Sequence, residues 1–183
     1  MRIISGEYRG RRLKTVDDNS IRPATDKVKG SIFNMLQNRL SLINANVLDL
    51  FAGSGSLAFE ALSRGATNAV FVEEARYAIE AIEENANALR CEDQCTILQT
   101  DAVQYIEHCR EKFDLVFADP PYAYGSIADL PRLIFERGLL NKEGFLIIEH
   151  SKHTTFADST QYKLSVCKEF GNTRVSFFIH ILE

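Results

Sequence analysis

The segment Asp119-Pro120-Pro121-Tyr122 follows an apolar run at 113–118 and combines a carboxylate, two rigid residues and an aromatic ring. Proline has no backbone N–H and disfavours helical geometry in the residue before it, so the chain must leave the predicted strand in a stiff, extended form. The Asp119 carboxylate and the Pro120 carbonyl are then two fixed acceptors, and the Tyr122 ring is a face for stacking. Together they suit a planar amino group. The two acceptors would bind its two N–H bonds and hold the nitrogen in line with an electrophile.

A glycine-rich turn earlier in the chain predicts a cofactor site. Gly53, Gly55 and Ala58 have G-x-G-x-x-A spacing directly after an apolar run and at the start of a helical pattern. Glycines let the backbone approach a ligand closely, and a helix start offers free N–H groups. Glu73 lies twenty residues after Gly53, where a carboxylate can accept from both hydroxyls of an adenosine ribose. These features fit NAD and S-adenosylmethionine equally well.

Two further acids favour S-adenosylmethionine. Asp49 lies inside the first predicted strand, where a dinucleotide fold would place an apolar side chain; a carboxylate there suits the ammonium group of a methionine moiety. Asp101 follows the third strand, where it could accept from an adenine amino group, cap the next helix or be a solvated loop charge. Because ligands bind at the carboxyl edge of a parallel sheet, we expect these acids to converge there.

The elements that must position these residues alternate between apolar runs and segments of helical periodicity. Strands are predicted at 46–51, 68–73, 95–99, 113–118 and 144–150, and helices at 56–64, 75–90, 102–110 and 126–137. Two further strands, at 162–170 and 174–182, are joined by a turn at 171–173. The pattern predicts an α/β, Rossmann-like, doubly wound sheet of seven mostly parallel strands with a C-terminal antiparallel hairpin.

The charge is distributed unevenly along the chain. Residues 1–30 carry eight Lys or Arg and four Asp or Glu, a net charge of +4, whereas the rest carries 13 and 21, a net charge of −8. Arg9, Arg11 and Arg12 cluster in "YRGRRLK" and indicate an arm that binds a polyanion, with a solvated charged turn as the alternative. We expect a single domain over 1–183, with 1–25 as a basic, polyanion-facing extension that contains a small strand pair turning at Gly6 or Gly10. A helix is predicted to follow at 26–40.

The composition disfavours several other classes of protein. No stretch of the 183 residues approaches the roughly 18 apolar residues of a membrane span, and "MRIISGEYRGRRLK" lacks the apolar run of a secretory signal. We therefore expect a cytoplasmic protein. The four cysteines lack CxxC spacing and the four histidines lack helical i, i+4 spacing, so no metal site and no disulfide framework is predicted.

The DPPY motif, combined with the upstream glycine turn, resembles the class I S-adenosylmethionine-dependent amino-methyltransferases with a (D/N)PP(Y/F) motif. Over nearly the whole chain, the segments "MRIISGEYRGRRLK", "IRPATDKVKGSIFNML", "LDLFAGSGSLAFEALSRGA", "DPPY" and "FGNTR" resemble the bacterial 16S ribosomal RNA guanine-N(2) methyltransferase family. One departure is Ala58-Phe59, where family members often have a glycine and an aliphatic residue. Alanine is still small enough for the helix to pack closely.

The resemblance implies a role for each matching residue. The segment at 22–26 is implied to fold over the cofactor and join the RNA-facing side, where Arg22 contacts a phosphate or the cofactor, or else supports the start of the helix. The implied reaction is methylation of a guanine amino group in the small ribosomal subunit, without an obligate protein partner. Asp119, Pro120 and Tyr122 would face the target amine, and the cofactor would be lined by Asp49, Phe51, Gly53, Gly55, Glu73, Asp101 and Ala102.

Other activities remain open at this point. DPPY also serves methylation of adenine in DNA or RNA and of glutamine amides in proteins. A chain of 183 residues leaves little room for a separate DNA-recognition region, and the basic arm fits a structured RNA better. Asp49 and DPPY argue against an NAD-dependent oxidoreductase. A binding module that holds the cofactor without catalysis is the remaining alternative.

Overall fold

A computed structural model describes residues 1–16, 26–121 and 124–181 and arranges them as a sheet with helices on both faces. The strands are β1 (Asn46–Leu50), β2 (Asn68–Glu73), β3 (Cys95–Gln99), β4 (Phe113–Ala118), β5 (Leu140–Ser151), β6 (Tyr162–Phe170) and β7 (Thr173–His180). The helices are α1 (Asp26–Leu36), α2 (Ser56–Ser63), α3 (Arg76–Leu89), α4 (Ala102–His108) and α5 (Leu130–Glu136).

The strand order is β3-β2-β1-β4-β5-β7-β6. The pairs among β1 to β5 are parallel, and β7 runs antiparallel to both β5 and β6. This confirms the predicted mostly parallel, seven-stranded sheet with a C-terminal hairpin. The chain winds outward in opposite directions from β1 and β4, so the crevice between their carboxyl ends is the place where such sheets bind ligands.

Two apolar layers cover the sheet, because side chains alternate between its faces. Helices α1, α2 and α3 pack on the face that carries Val47, Phe71 and Phe117. Helices α4 and α5 pack on the face that carries Leu48 and Val116. Strands buried on both faces read as continuous apolar runs, which explains why the sequence alone located them.

Residues 1–16 form an N-terminal arm that is fastened to α2. Its ends meet in a single antiparallel bridge between Arg2 and Arg12. The fully buried Glu60 of α2 accepts from the backbone N–H groups of Ile4 at 2.7 Å and Ser5 at 3.1 Å. Gly6 turns the arm with φ +87°, and a Cβ there would lie 1.7 Å from the Ser63 carbonyl oxygen. The arm is therefore an integral part of the fold.

A few element boundaries differ from those predicted. The helix predicted at 126–137 is a 3₁₀ turn, Ile127–Asp129, followed by α5, because Pro131 is tolerated only in the first turn of an α-helix. Strand β5 begins at Leu140 rather than 144, and its register with β4 shifts between Phe113 and Leu115. Helix α1 ends at Leu36 rather than 40.

Candidate active site

A cavity of about 420 Å³ opens at the carboxyl edge of the sheet, where β1 and β4 lie side by side. Gly55 does not line the cavity, and Tyr122 and Arg22 fall outside the described residues. The residues predicted from the sequence that do line this cavity are Asp49, Phe51, Gly53, Glu73, Asp101, Ala102, Asp119 and Pro120. The structure therefore brings the proposed cofactor and amine positions together in one cavity.

The turn between β1 and α2 requires glycine. Phe51, Gly53 and Gly55 all have positive φ values, of 60°, 55° and 77°. A Cβ on Gly55 would lie 2.7 Å from ring atoms of Phe59 and of Phe71, so even alanine would collide with the core. Glycine at this position lets the turn pack closely on the aromatic layer beneath the cavity.

Glu73 ties this turn to the start of α3. Its Oε2 accepts from the Gly53 N–H at 2.9 Å, and its Oε1 accepts from the N–H groups of Glu74 at 2.8 Å and Ala75 at 2.9 Å. A carboxylate has about four acceptor positions, so Oε2 keeps room for one further donor from the cavity. The carboxylate thus has a structural role in addition to the ribose contact predicted for it.

Asp49 places an acid beneath the cavity, inside β1. The residue is 2% exposed, and its Oδ2 accepts from the Ala58 N–H at 3.3 Å. Burial raises the pKa of Asp49 well above its ordinary value, the Ala58 hydrogen bond opposes this, and the nearby Glu73 charge adds to it. A buried acid of this kind is stabilised when a cation enters the cavity.

Two more acids stand at the ends of the neighbouring strands. Burial raises the pKa of Asp119, after β4, well above its ordinary value, and the charges of Glu149 and Asp49 raise it further. Burial also raises the pKa of Glu149, in β5, to about 7. Burial thus disfavours the ionised form of all three acids, which lie on adjacent strands.

Glu149 was not among the residues predicted from the sequence. The signal that could have found it is the alternation of side chains between the two faces of a strand. In the sheet, Asp49 pairs with Phe117, and Phe117 pairs with Ile147. Residues two positions further on, Asp119 and Glu149, share that face of the sheet. The sequence shows the alternation, but only the register shows that the two carboxylates are neighbours.

Asp101 and an aromatic pair form another wall of the cavity. Asp101 accepts from the Gln104 N–H at 2.9 Å through Oδ1 and so caps α4, while it also lines the cavity. The rings of Phe51 and Tyr124 meet edge to face, with centroids 4.9 Å apart. Burial raises the pKa of Tyr124, so its phenol stays protonated at neutral pH. The sequence analysis did not select Tyr124, because the aromatic residue of the motif itself is Tyr122.

The N-terminal arm reaches this cavity. The buried Asn85 of α3 accepts from the Lys14 N–H at 2.7 Å and donates to the carbonyls of Lys14 and Ser54, each at 3.0 Å. Two residues further on, Val16 lines the cavity. The arm is thereby linked to the glycine turn through a single side chain.

Of the four arginines predicted to bind RNA, Arg9, Arg11 and Arg12 are exposed, and Arg22 lies outside the described residues. Arg11 donates to the Ala88 carbonyl near the end of α3. Arg9 and Arg12 make no side-chain hydrogen bond or ion pair with any described residue. These two charges are available to a partner on the same side of the molecule as the arm.

The part of the chain that the structure describes contains no group of three or more His, Cys, Asp or Glu placed to hold a metal ion. None of its described helices is long and apolar enough to cross a membrane.

Comparisons with known proteins agree with this architecture. The family model described as "Conserved hypothetical protein 95" matches residues 1–179. "Putative rRNA methyltransferase YlbH" of Bacillus subtilis is 36% identical over 182 residues, which cover 97% of this chain and 98% of the relative. "Ribosomal RNA small subunit methyltransferase D" of Escherichia coli is 33% identical over 149 residues, covering 81% of this chain and 74% of the relative.

A solved structure, "Putative methyltransferase yhhF from Escherichia coli", matches with a TM-score of 0.87 and 28% sequence identity, covering 100% of this chain and 99% of that one. The family model, the Bacillus subtilis relative and the solved structure thus each match nearly the whole chain. The chain belongs to the Conserved hypothetical protein 95 family, the family of the ribosomal RNA small subunit methyltransferase D proteins.

Proposed function

We propose that this protein transfers the methyl group of S-adenosylmethionine to the exocyclic N2 amino group of a guanine in 16S ribosomal RNA. Membership of a family with ribosomal RNA small subunit methyltransferases supports the substrate class. The observation that carries the proposal is that Asp119 and Pro120 line the same cavity as the glycine turn after β1. An amine held by the first pair would therefore lie next to a cofactor held by the turn.

The residues of the cavity fit the cofactor. The glycine turn allows close approach of the backbone, Glu73 has room for one ribose hydroxyl on Oε2, and Asp101 has a second oxygen for an adenine amino group. Asp49 lies beneath the turn, where burial raises its pKa, and the ammonium group of the cofactor would stabilise its ionised form. When bound, S-adenosylmethionine supplies a methyl group on a positively charged sulfur, which keeps the bonding electrons as a thioether.

Asp119 and Pro120 make the amine reactive. The lone pair of a guanine amino group is delocalised into the ring, so the amine is a poor nucleophile. The Asp119 carboxylate and the Pro120 carbonyl would accept from its two N–H bonds, hold it in line and favour localisation of the lone pair as the N–C bond forms. The methylated nitrogen then carries a positive charge and releases one proton to Asp119 or to water. The raised pKa of Asp119 helps it to accept that proton.

The RNA would lie on the side of the N-terminal arm. Arg9 and Arg12 are exposed there, and Val16 of the arm lines the cavity. We assign residues 1–183 to a single methyltransferase domain in which 1–25 face the RNA, with Arg22 as a further contact and Tyr122 as the stacking ring. The partner is the small ribosomal subunit or its RNA, and the enzyme works in the cytoplasm, where ribosomes are assembled.

Replacing Asp119 by alanine tests the assigned chemistry. Asp119→Ala should lower the rate of methyl transfer by at least about 100-fold, because one of the two acceptors on the amine is lost. Its affinity for S-adenosylmethionine, measured by calorimetry, should stay within a few-fold. Asp158→Ala, which removes an exposed carboxylate in the loop between β5 and β6, is the matched control and should behave like the wild type. An Asp119→Ala variant that keeps normal activity would refute the role of this residue.

A further inference from the structure

Glu149 has a buried oxygen without a partner. Its Oε2 is the one buried side-chain oxygen or nitrogen, among the residues that the structure describes, that makes no hydrogen bond. Two acids that are buried more deeply are satisfied from within the fold: Asp49 accepts from Ala58, and Glu60 accepts from Ile4 and Ser5. Burying an acceptor without a donor is unfavourable, so the donor for Glu149 must enter through the cavity.

The position of Glu149 indicates which ligand would supply this donor. Ala118 and Ile148 are registered partners in β4 and β5, so Asp119 and Glu149 are the next residues on adjacent parallel strands. Both line the cavity. In the strand order, β4 lies between β1, which carries the glycine turn, and β5. Glu149 therefore lies beyond Asp119 as seen from the cofactor side, next to the place of the target base.

The end of β5 is held firmly. His150 lies with Nε2 2.8 Å from the Ser176 Oγ, and its ring meets that of Phe156 edge to face at 4.8 Å. Burial lowers the pKa of His150, so the ring is neutral at neutral pH and does not neutralise the neighbouring acid. These contacts, together with the pairing of 146–151 with β7, fix the backbone around Glu149, whose side chain lines the cavity.

We propose that Glu149 selects guanine by accepting a hydrogen bond from the N1–H group of the target base while Asp119 accepts from the adjacent N2 amine. This inference rests on the proposed function. Guanine presents N1–H and the N2 amine as neighbouring donors, whereas adenine presents a lone pair at N1 beside its N6 amine. Two neighbouring carboxylates match the first pattern and repel the second.

The test replaces the carboxylate of Glu149, which only accepts, by an amide, which accepts through its oxygen and donates through its N–H groups. The methylated guanosine is first mapped with the wild-type enzyme, and 16S ribosomal RNA is then transcribed with guanosine or adenosine at that position. In Glu149→Gln the amide N–H can donate to N1 of adenine. We expect kcat/KM on the guanosine RNA to fall about 10- to 100-fold, and the ratio of guanosine to adenosine methylation to fall with it.

Two further variants separate recognition from structure. Glu143→Gln changes an exposed glutamate on the same strand and should match the wild type in both measurements. Glu149→Asp keeps a carboxylate on a shorter side chain and should retain the preference for guanosine at a reduced rate. Thermal unfolding of each variant shows that it is folded, and calorimetry should show cofactor affinity within about twofold of wild type for all three.

Each other outcome overturns the inference. A Glu149→Gln variant with unchanged kcat/KM and an unchanged guanosine-to-adenosine ratio would show that Glu149 does not contact the base. A variant with cofactor affinity weakened tenfold or more and an unchanged ratio would assign Glu149 to the cofactor. A wild-type enzyme that methylates no guanosine would refute the proposed function itself, and the inference with it.

Discussion

The unpartnered carboxyl of Glu149 should make the ligand-free protein less stable as the pH rises. Burial raises the pKa of this group from its ordinary value of 4.5 to about 7. A raised pKa means that the folded state holds the proton more tightly than the unfolded state, so the stabilisation is complete below about pH 4.5 and is lost as the pH rises through 7. At about 1.4 kcal/mol for each unit, linkage gives a loss of about 2.5 kcal/mol between pH 5 and pH 8.

Urea unfolding at pH 5 and pH 8, without cofactor, measures this loss. Glutamine does not titrate. The free energy of unfolding of Glu149→Gln minus that of the wild type should therefore be about 2 kcal/mol larger at pH 8 than at pH 5, after allowance for the partial exposure of the side chain. Removing the Glu149 charge also lowers the pKa of Asp119, which reduces the loss of stability at high pH further. Glu143→Gln is the control and should follow the wild type. A difference between wild type and Glu149→Gln that is equal at both pH values, within about 0.5 kcal/mol, would refute this reasoning.

Two other predictions concern the glycine turn and the arm. Gly55→Ala should destabilise the protein by about 2 kcal/mol, because it combines a positive φ with a Cβ 2.7 Å from the rings of Phe59 and Phe71; a loss below about 0.5 kcal/mol in urea unfolding would contradict the close packing. Replacing Arg9 and Arg12 together by glutamine should weaken RNA binding and reduce the slope of log affinity against log salt by about 1.5, with cofactor affinity unchanged. An identical slope would show that these arginines do not contact phosphates.

Much of the fold follows from the sequence because the local signals agree. Strands β2 and β4 are buried and almost wholly apolar, and they have the predicted bounds. The bounds of β3 and β6, which lie at the two edges of the sheet and are more exposed, also match the prediction. The site could be anticipated for a related reason. Residues that follow parallel strands meet at one edge, so Asp49, Glu73, Asp101 and Asp119 could be expected to converge without knowledge of the strand order.

The rest depends on contacts between distant segments. Glu149 looks like the polar end of an ordinary strand until its register with β4 places it beside Asp119. Glu60 lies in "AFEAL" and reads as a solvent-facing helix residue, yet it is fully buried because the N-terminal arm folds over it and Lys29 lies 3.7 Å away. Neither the register nor the path of the arm is encoded in local periodicity.

The most direct test of the central claim is the identity of the methylated product. Purified protein is incubated with tritium-labelled S-adenosylmethionine and, separately, with small ribosomal subunits, naked 16S ribosomal RNA, duplex DNA and protein, and any labelled RNA is digested to nucleosides. The account predicts label in N2-methylguanosine from one of the two ribosomal substrates. Label only in N6-methyladenosine, DNA or protein, or no label although the cofactor binds, would contradict it.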